Sequence, residues 1–114
     1  MSDTSAIQGE WQFVTAIGWH RTTRVPSDVQ LIFDGEMLLY QRQGRTVKTW
    51  RFSLDGSFDP SHFNWTTESG MYEGTYRLED DRLTVCLPRT PRDPRPTTTD
   101  IEKHGFGWEM KKLS

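Results

Sequence analysis

Gly74-Thr75-Tyr76-Arg77-Leu78-Glu79-Asp80-Asp81-Arg82-Leu83-Thr84-Val85-Cys86-Leu87 is the stretch on which the fold turns. On its first arm Gly74, Tyr76 and Leu78 alternate with Thr75 and Arg77; on its second, Leu83, Val85 and Leu87 alternate with Thr84 and Cys86. Successive side chains leave a strand on opposite sides, so a period of two marks a strand with one face toward a core. Glu79-Asp80-Asp81 reverses the chain between the arms, and the whole reads as a β-hairpin.

The same alternation recurs on both sides of it. Upstream, Phe63 and Trp65 share a face, against His62, Asn64 and Thr66, before Ser69-Gly70 turns the chain. Trp50, Phe52 and Leu54 share another, between the turn Gln43-Gly44-Arg45 and a loop from Asp55-Gly56 to Asp59-Pro60-Ser61. A strand over Glu36 to Gln41 precedes it, its parity open because Met37, Leu38, Leu39 and Tyr40 are all apolar or aromatic. Val29, Leu31 and Phe33 alternate up to Asp34-Gly35, a strong two-residue hairpin signal. The first strand places Ile7, Gly9, Trp11, Phe13, Thr15 and Ile17 on one face. Downstream, Pro88, Pro91, Pro94 and Pro96 mark a loop, since proline cannot donate to a sheet ladder, and Phe106, Trp108 and Met110 share a face of the last strand.

Eight short strands joined mostly by tight turns predict an all-β protein, an eight-stranded antiparallel up-and-down barrel. Closure is the simplest way for such a meander to remove its exposed edges, with an open sandwich as the alternative. Residues 1–5 read as a loose tail and 6–114 as one domain. Hydrophobic residues make up only 33% of the chain and aromatics 12%, so the core is built from a few large rings. Eleven of the fourteen aromatics, Trp11, Trp50, Trp65 and Trp108 among them, fall on inward faces. They either line an apolar cavity or fill the barrel, and strands this short favour filling.

A formal charge of -2 is too balanced for a dedicated nucleic-acid binder. No stretch approaches the roughly 18 consecutive apolar residues of a membrane helix. Cys86 is the only cysteine, which excludes an internal disulfide and suits a reducing compartment. The chain reads as soluble and cytoplasmic.

Each strand of a meander reverses direction, which sorts the loops by end. With the first strand starting at the base, the mouth holds residues 18–28, Gln43 to Arg45, Glu68 to Gly70 and 88–105. The mouth has the two longest loops, where binding sites on rigid scaffolds usually lie. It carries nine cations against five carboxylates, about +4, while the base is about -5. A positive concave end attracts carboxylates or phosphates; a solubilising surface with accidental asymmetry stands beside that reading.

Other chemistry is thinly supported. His20 and His104 fall at the mouth and His62 at the base, so the three cannot share a metal. They read as loop histidines, with axial binding of haem by one of them left open; no metal and no cofactor is assigned. Cys86 alternates with Val85 and Leu87, faces outward and has no histidine beside it, which makes it structural. Glu73 and Arg51 read as an exposed cross-strand ion pair. The segment from Arg89 to Arg95 reads as a solvated polyproline-like loop, a docking peptide or a lid over the mouth. No phosphate-loop, dinucleotide or zinc motif occurs, and no catalytic residue is assigned.

Gly9-Glu10-Trp11 at the start of the first strand resembles the Gly-x-Trp signature of lipocalin-like proteins. With Leu31-Ile32-Phe33-Asp34-Gly35, Phe52-Ser53-Leu54-Asp55, Gly74 to Leu83, Cys86-Leu87 and Arg95-Pro96-Thr97 in order, the chain resembles a small lipocalin-like domain family of unknown function expanded in planctomycete bacteria. It departs at Glu79-Asp80-Asp81, where that family tends to place a glycine, and its segment from Asp55 to Gly74 is shorter. The resemblance implies a small calycin-type barrel with no established activity. It also implies that Trp11 packs at the closed end against a basic side chain near the last strand, Lys111 or Lys112.

These observations lead to a non-catalytic binding domain for a small, partly apolar, anionic or lipid-like ligand at the basic mouth. Its candidate contacts are Trp19, His20, Arg21, Arg42, Arg45, Trp65, Tyr72, Arg89 and His104. A protein-interaction module with the barrel as scaffold is the second reading, and an enzyme using the barrel as a reaction chamber the third.

Overall fold

A computed structural model describes residues 3–18 and 28–113. A short helix α1 (Asp3–Ala6) leads into β1 (Gly9–Ile17), β2 (Val29–Asp34), β3 (Met37–Arg42), β4 (Arg45–Asp55), β5 (Ser61–Thr67), β6 (Gly70–Glu79) and β7 (Arg82–Cys86). A second short helix α2 (Ile101–His104) precedes β8 (Gly107–Lys112). Every strand pairs antiparallel with its sequence neighbour, and β8 returns to β1, giving the expected closed eight-stranded up-and-down barrel. The turns use the residues the geometry needs: Gly35, Gln43, Gly44 and Asp80 all take positive φ. Asp80 thus fills, as an acid, a position that usually favours glycine or asparagine.

Register settles two faces that alternation left open or misassigned. In β3, Leu38 is fully buried and Tyr40 packs on the core, so Met37 and Leu39 face out. In β1 the pairing with β8 shifts between Phe13 and Thr15, a bulge at Val14. Beyond it the parity reverses: Ala16 packs on the core, opposite Trp108, and Thr15 faces out beside Glu109. Thr15 and Ile17 therefore do not continue the Trp11 face.

Rings fill the barrel. Phe33 meets Trp11, Phe52 and Phe63 edge-on at centroid separations of 6.5, 4.9 and 6.4 Å. One layer higher, Trp65 lies against Trp50, Tyr72 and Trp108 at 5.1, 4.8 and 5.3 Å. Such tilted contacts place ring edges on ring faces, and each contributes about 0.5–1.5 kcal/mol beyond area burial.

The base is plugged by the segment that precedes β1. Ile7 is fully buried, the Trp11 indole donates to the Ile7 carbonyl at 2.8 Å, and the Tyr76 hydroxyl donates to Asp3 Oδ2 at 2.5 Å. Gln8 ties the same segment to the Gly35 turn, accepting from Gly35 N at 2.6 Å.

The proline-rich segment does not cover the mouth. It runs down the outer wall of β6 and β7 as a strap: Pro91 sits against Gly70, Arg95 donates to the Gly74 carbonyl at 2.6 Å, and the Thr75 hydroxyl donates to the Thr98 carbonyl at 2.6 Å. The strap returns through α2, whose Asp100 cap accepts from the amides of Glu102 and Lys103. Cys86 is consequently outward on the barrel wall and yet fully buried beneath a second layer. No described helix is long and apolar enough to cross a membrane.

Candidate functional site

The mouth is built on the upper ring layer. Trp65 and Trp108 are buried there, while Phe13, Tyr40, Trp50 and Tyr72 are half-buried around them. Tyr40 contacts Trp50 at 6.1 Å and Phe13 contacts Trp108 at 6.2 Å, so the rings form a continuous aromatic floor. These side chains share one level because they occupy inward positions near the mouth ends of β1, β3, β4, β5, β6 and β8.

The structure brings some of the sequence-derived candidates together and separates others. Trp65 and Tyr72 are direct neighbours in the floor. Arg42 and Arg45 flank the Gln43-Gly44 turn at the exposed tip of the β3–β4 hairpin. Arg89 is exposed just after β7, its guanidinium 5.2 Å from the Phe106 ring centre. Strand order puts β7 across the barrel from β3 and β4, so Arg89 faces the Arg42–Arg45 pair from the opposite rim. His104 lies at the end of α2 with Nε2 2.6 Å from the Leu87 carbonyl oxygen, which commits that nitrogen to holding the strap closed. Trp19, His20 and Arg21 lie outside the described residues.

The positive balance of the mouth shrinks for a physical reason: the long loop turns down. Arg95 lies on the outer wall, 2.9 Å from Asn64 Oδ1 and 3.9 Å from Glu73, and Asp100, Glu102 and Lys103 lie on or beside α2 against β7 and β8. Among the described residues Arg42, Arg45, Lys48, Arg89 and Arg92 remain at the mouth, against Asp28, Glu68 and Asp93. The Arg51–Glu73 pair does not form. Arg51 stands opposite Thr66, Glu73 stands opposite Asn64, and Arg95 takes Glu73 instead.

Two grooves on the outside were not anticipated. One of about 300 Å³ lies under the strap, where Thr15, Glu109, Thr84 and Arg77 form a lateral row across four strands. The other, about 600 Å³, lies along β4 and the β5–β6 turn.

Among the described residues two ionisable groups are strongly perturbed, Cys86 and Tyr76, and neither is at the mouth. Burial pushes the Cys86 thiol up to about 11, partly offset by its hydrogen bond with Thr75. Burial, then the hydrogen bond to Asp3, raises the Tyr76 phenol. Both stay protonated at neutral pH, so the buried thiol is no nucleophile. At the base Asp55 is held below the usual carboxylate range by hydrogen bonds from the Ser57 side chain and backbone. His62 stacks on Phe58 at 3.8 Å, far from His104, and no cluster of three metal-ligating side chains occurs among the described residues. No family model, curated protein or solved structure matches the chain.

Proposed function

We propose that the protein is a non-catalytic, lipocalin-like binding domain whose mouth takes a small amphiphile with an anionic head. The observation that carries this reading is the aromatic floor of Trp50, Trp65, Tyr72 and Trp108 lying below a rim with Arg42 and Arg45 on one side and Arg89 on the other. A filled barrel leaves room only for a shallow ligand: rings for the apolar part, guanidinium groups for a carboxylate or phosphate. Membership of the small calycin-type family expanded in planctomycete bacteria, and a cytoplasmic location, belong to the same proposal. The sequence landmark Gly9-Glu10-Trp11 and the Lys112 side chain set over Trp11 support it.

Calorimetric titration with decanoate, dodecyl phosphate and neutral decanol tests it. The anionic probes bind, the alcohol binds more weakly, and added salt weakens only the anionic pair. Replacing Arg42, Arg45 and Arg89 together by glutamine reduces anion affinity with little change in thermal midpoint, because exposed charges contribute little to stability. Absence of binding by the parent protein, or binding indifferent to these arginines, moves the assignment to a protein-interaction module.

A further inference from the structure

The groove along β4 exists because two hairpins of the barrel differ in height. β4 begins at Arg45, but its pairing with β5 begins only at Arg51, opposite Thr66, because β5 ends at Thr67. Residues 46–50 therefore have β3 on one side and no described strand on the other. Every residue from Arg42 to Thr49 is exposed, Val47 to 56%. Among the described residues the barrel is closed below this level and has an open edge above it. An open edge offers unpaired backbone donors and acceptors to any extended chain.

The two faces flanking the edge differ in chemistry. Met37, Arg51, Thr66 and Met71 form one lateral row on the outside, across β3 to β6, and Met71 is 42% exposed. This row is apolar at both ends, with methionines that adapt to varied partners. On the mouth side, Arg42 stands opposite Arg45 and Lys48 opposite the inward Tyr40, so three cations line the lip. Met37 to Arg42 and Arg45 to Leu54 contain no carboxylate; the groove lining carries Lys48 and Arg51 against one carboxylate, Glu68 of the β5–β6 turn, and none of the four cations Arg42, Arg45, Lys48 and Arg51 forms an ion pair among the described residues.

Charge separates the occupants such an edge can have. Two copies pairing antiparallel through this edge set the Arg45–Arg51 segments against each other, cation on cation, which opposes association. We infer that the edge takes an extended acidic segment of another protein, added as a strand beside residues 46–50. Its side chains alternate: carboxylates toward Lys48 and Arg45, aliphatic groups toward Met37 and Met71. The edge shares Arg45 and Trp50 with the mouth but uses neither Tyr72 nor Arg89, and variants at those two positions separate the two readings.

The test is a titration of isotopically labelled full-length protein with a blocked octapeptide of alternating glutamate and valine, followed by amide shifts and hydrogen exchange. Amides of residues 46–50 shift and exchange more slowly. A lysine-valine octapeptide and a glutamate-proline octapeptide, which lacks alternate backbone donors, bind weaker by about tenfold or more. The double variant Arg45→Glu/Lys48→Glu keeps its thermal midpoint, loses the acidic peptide and gains the basic one. Tyr72→Ala and Arg89→Gln leave the peptide titration unchanged. The inference is overturned if residues 46–50 do not respond to the acidic peptide, or if the proline peptide binds equally well. A concentration-dependent dimer that Lys48→Glu disperses also overturns it and assigns the edge to a second copy.

Discussion

The Lys112 ammonium lies 5.7 Å from the centre of the Trp11 ring while donating to the Ala6 carbonyl oxygen at 2.9 Å. One side chain of the last strand thus covers the buried ring of the first strand and also holds the segment that plugs the base. Between Lys111 and Lys112, alternation leaves the choice open; pairing decides for Lys112, which stands opposite Trp11 across the β1–β8 seam.

Trp11→Ala should cost about 3–5 kcal/mol, because it removes a fully buried ring and leaves a cavity that the neighbouring Phe33 cannot close. Lys112→Met should cost only about 0.5–1 kcal/mol, the size of a partly exposed cation–π contact. Urea denaturation measures both, and a Trp11→Ala midpoint equal to the parent's would show that the base is not held this way.

Arg95 should behave as the rivet of the strap. It donates to the Gly74 carbonyl and to Asn64 Oδ1, and loss of hydrogen bonds from a charged donor costs about 1.5–3 kcal/mol. Arg95→Ala should also expose Cys86, so a thiol reagent that labels the parent only in denaturant should label the variant under native conditions.

Stability should fall at alkaline pH. The folded protein holds the Cys86 thiol neutral, raised from 9.0 to about 11, whereas the unfolded chain releases that proton from about pH 9. The contribution is fully present below the unfolded value and is lost as pH rises through the folded one; the raised Tyr76 phenol acts in the same direction. Urea midpoints measured across this range should decline, and Cys86→Ala should make the decline shallower.

Tyr76→Phe should cost about 1 kcal/mol by removing the hydroxyl that holds Asp3, and deletion of residues 1–5 should cost more. A genuinely loose tail would leave the thermal midpoint of the deletion variant unchanged.

The barrel was legible because β2, β5 and β7 alternate cleanly and the turn residues between strands are distinctive. The Val14 bulge was not, because Ile17 is apolar and continues the Trp11 parity by coincidence; only pairing with Glu109 and Trp108 shows the reversal. In β3, four consecutive large residues carry no phase, and closure around Leu38 supplies it. The aromatic floor followed from inward parity alone, which is why Trp65 and Tyr72 were found together. The course of the proline-rich loop did not follow: prolines say that a segment is not a strand, and nothing in linear spacing says which surface it lies on. The open edge of β4 was equally hidden, since it depends on the unequal lengths of β4 and β5 once they are paired.

The strap makes the barrel wall two layers thick over β7, and this has a consequence for how the sequence can drift. Along β2, buried and partly exposed positions alternate, so every second residue is free to vary. Along β7, four consecutive residues from Leu83 to Cys86 are buried, because the strap has turned the outer face into interior. A saturation scan should therefore show tolerance with a period of two in β2 and uniform intolerance in β7. The half of the barrel under the strap is constrained in volume on both faces, and the bare half around the β4 edge is free to change its chemistry without disturbing the fold.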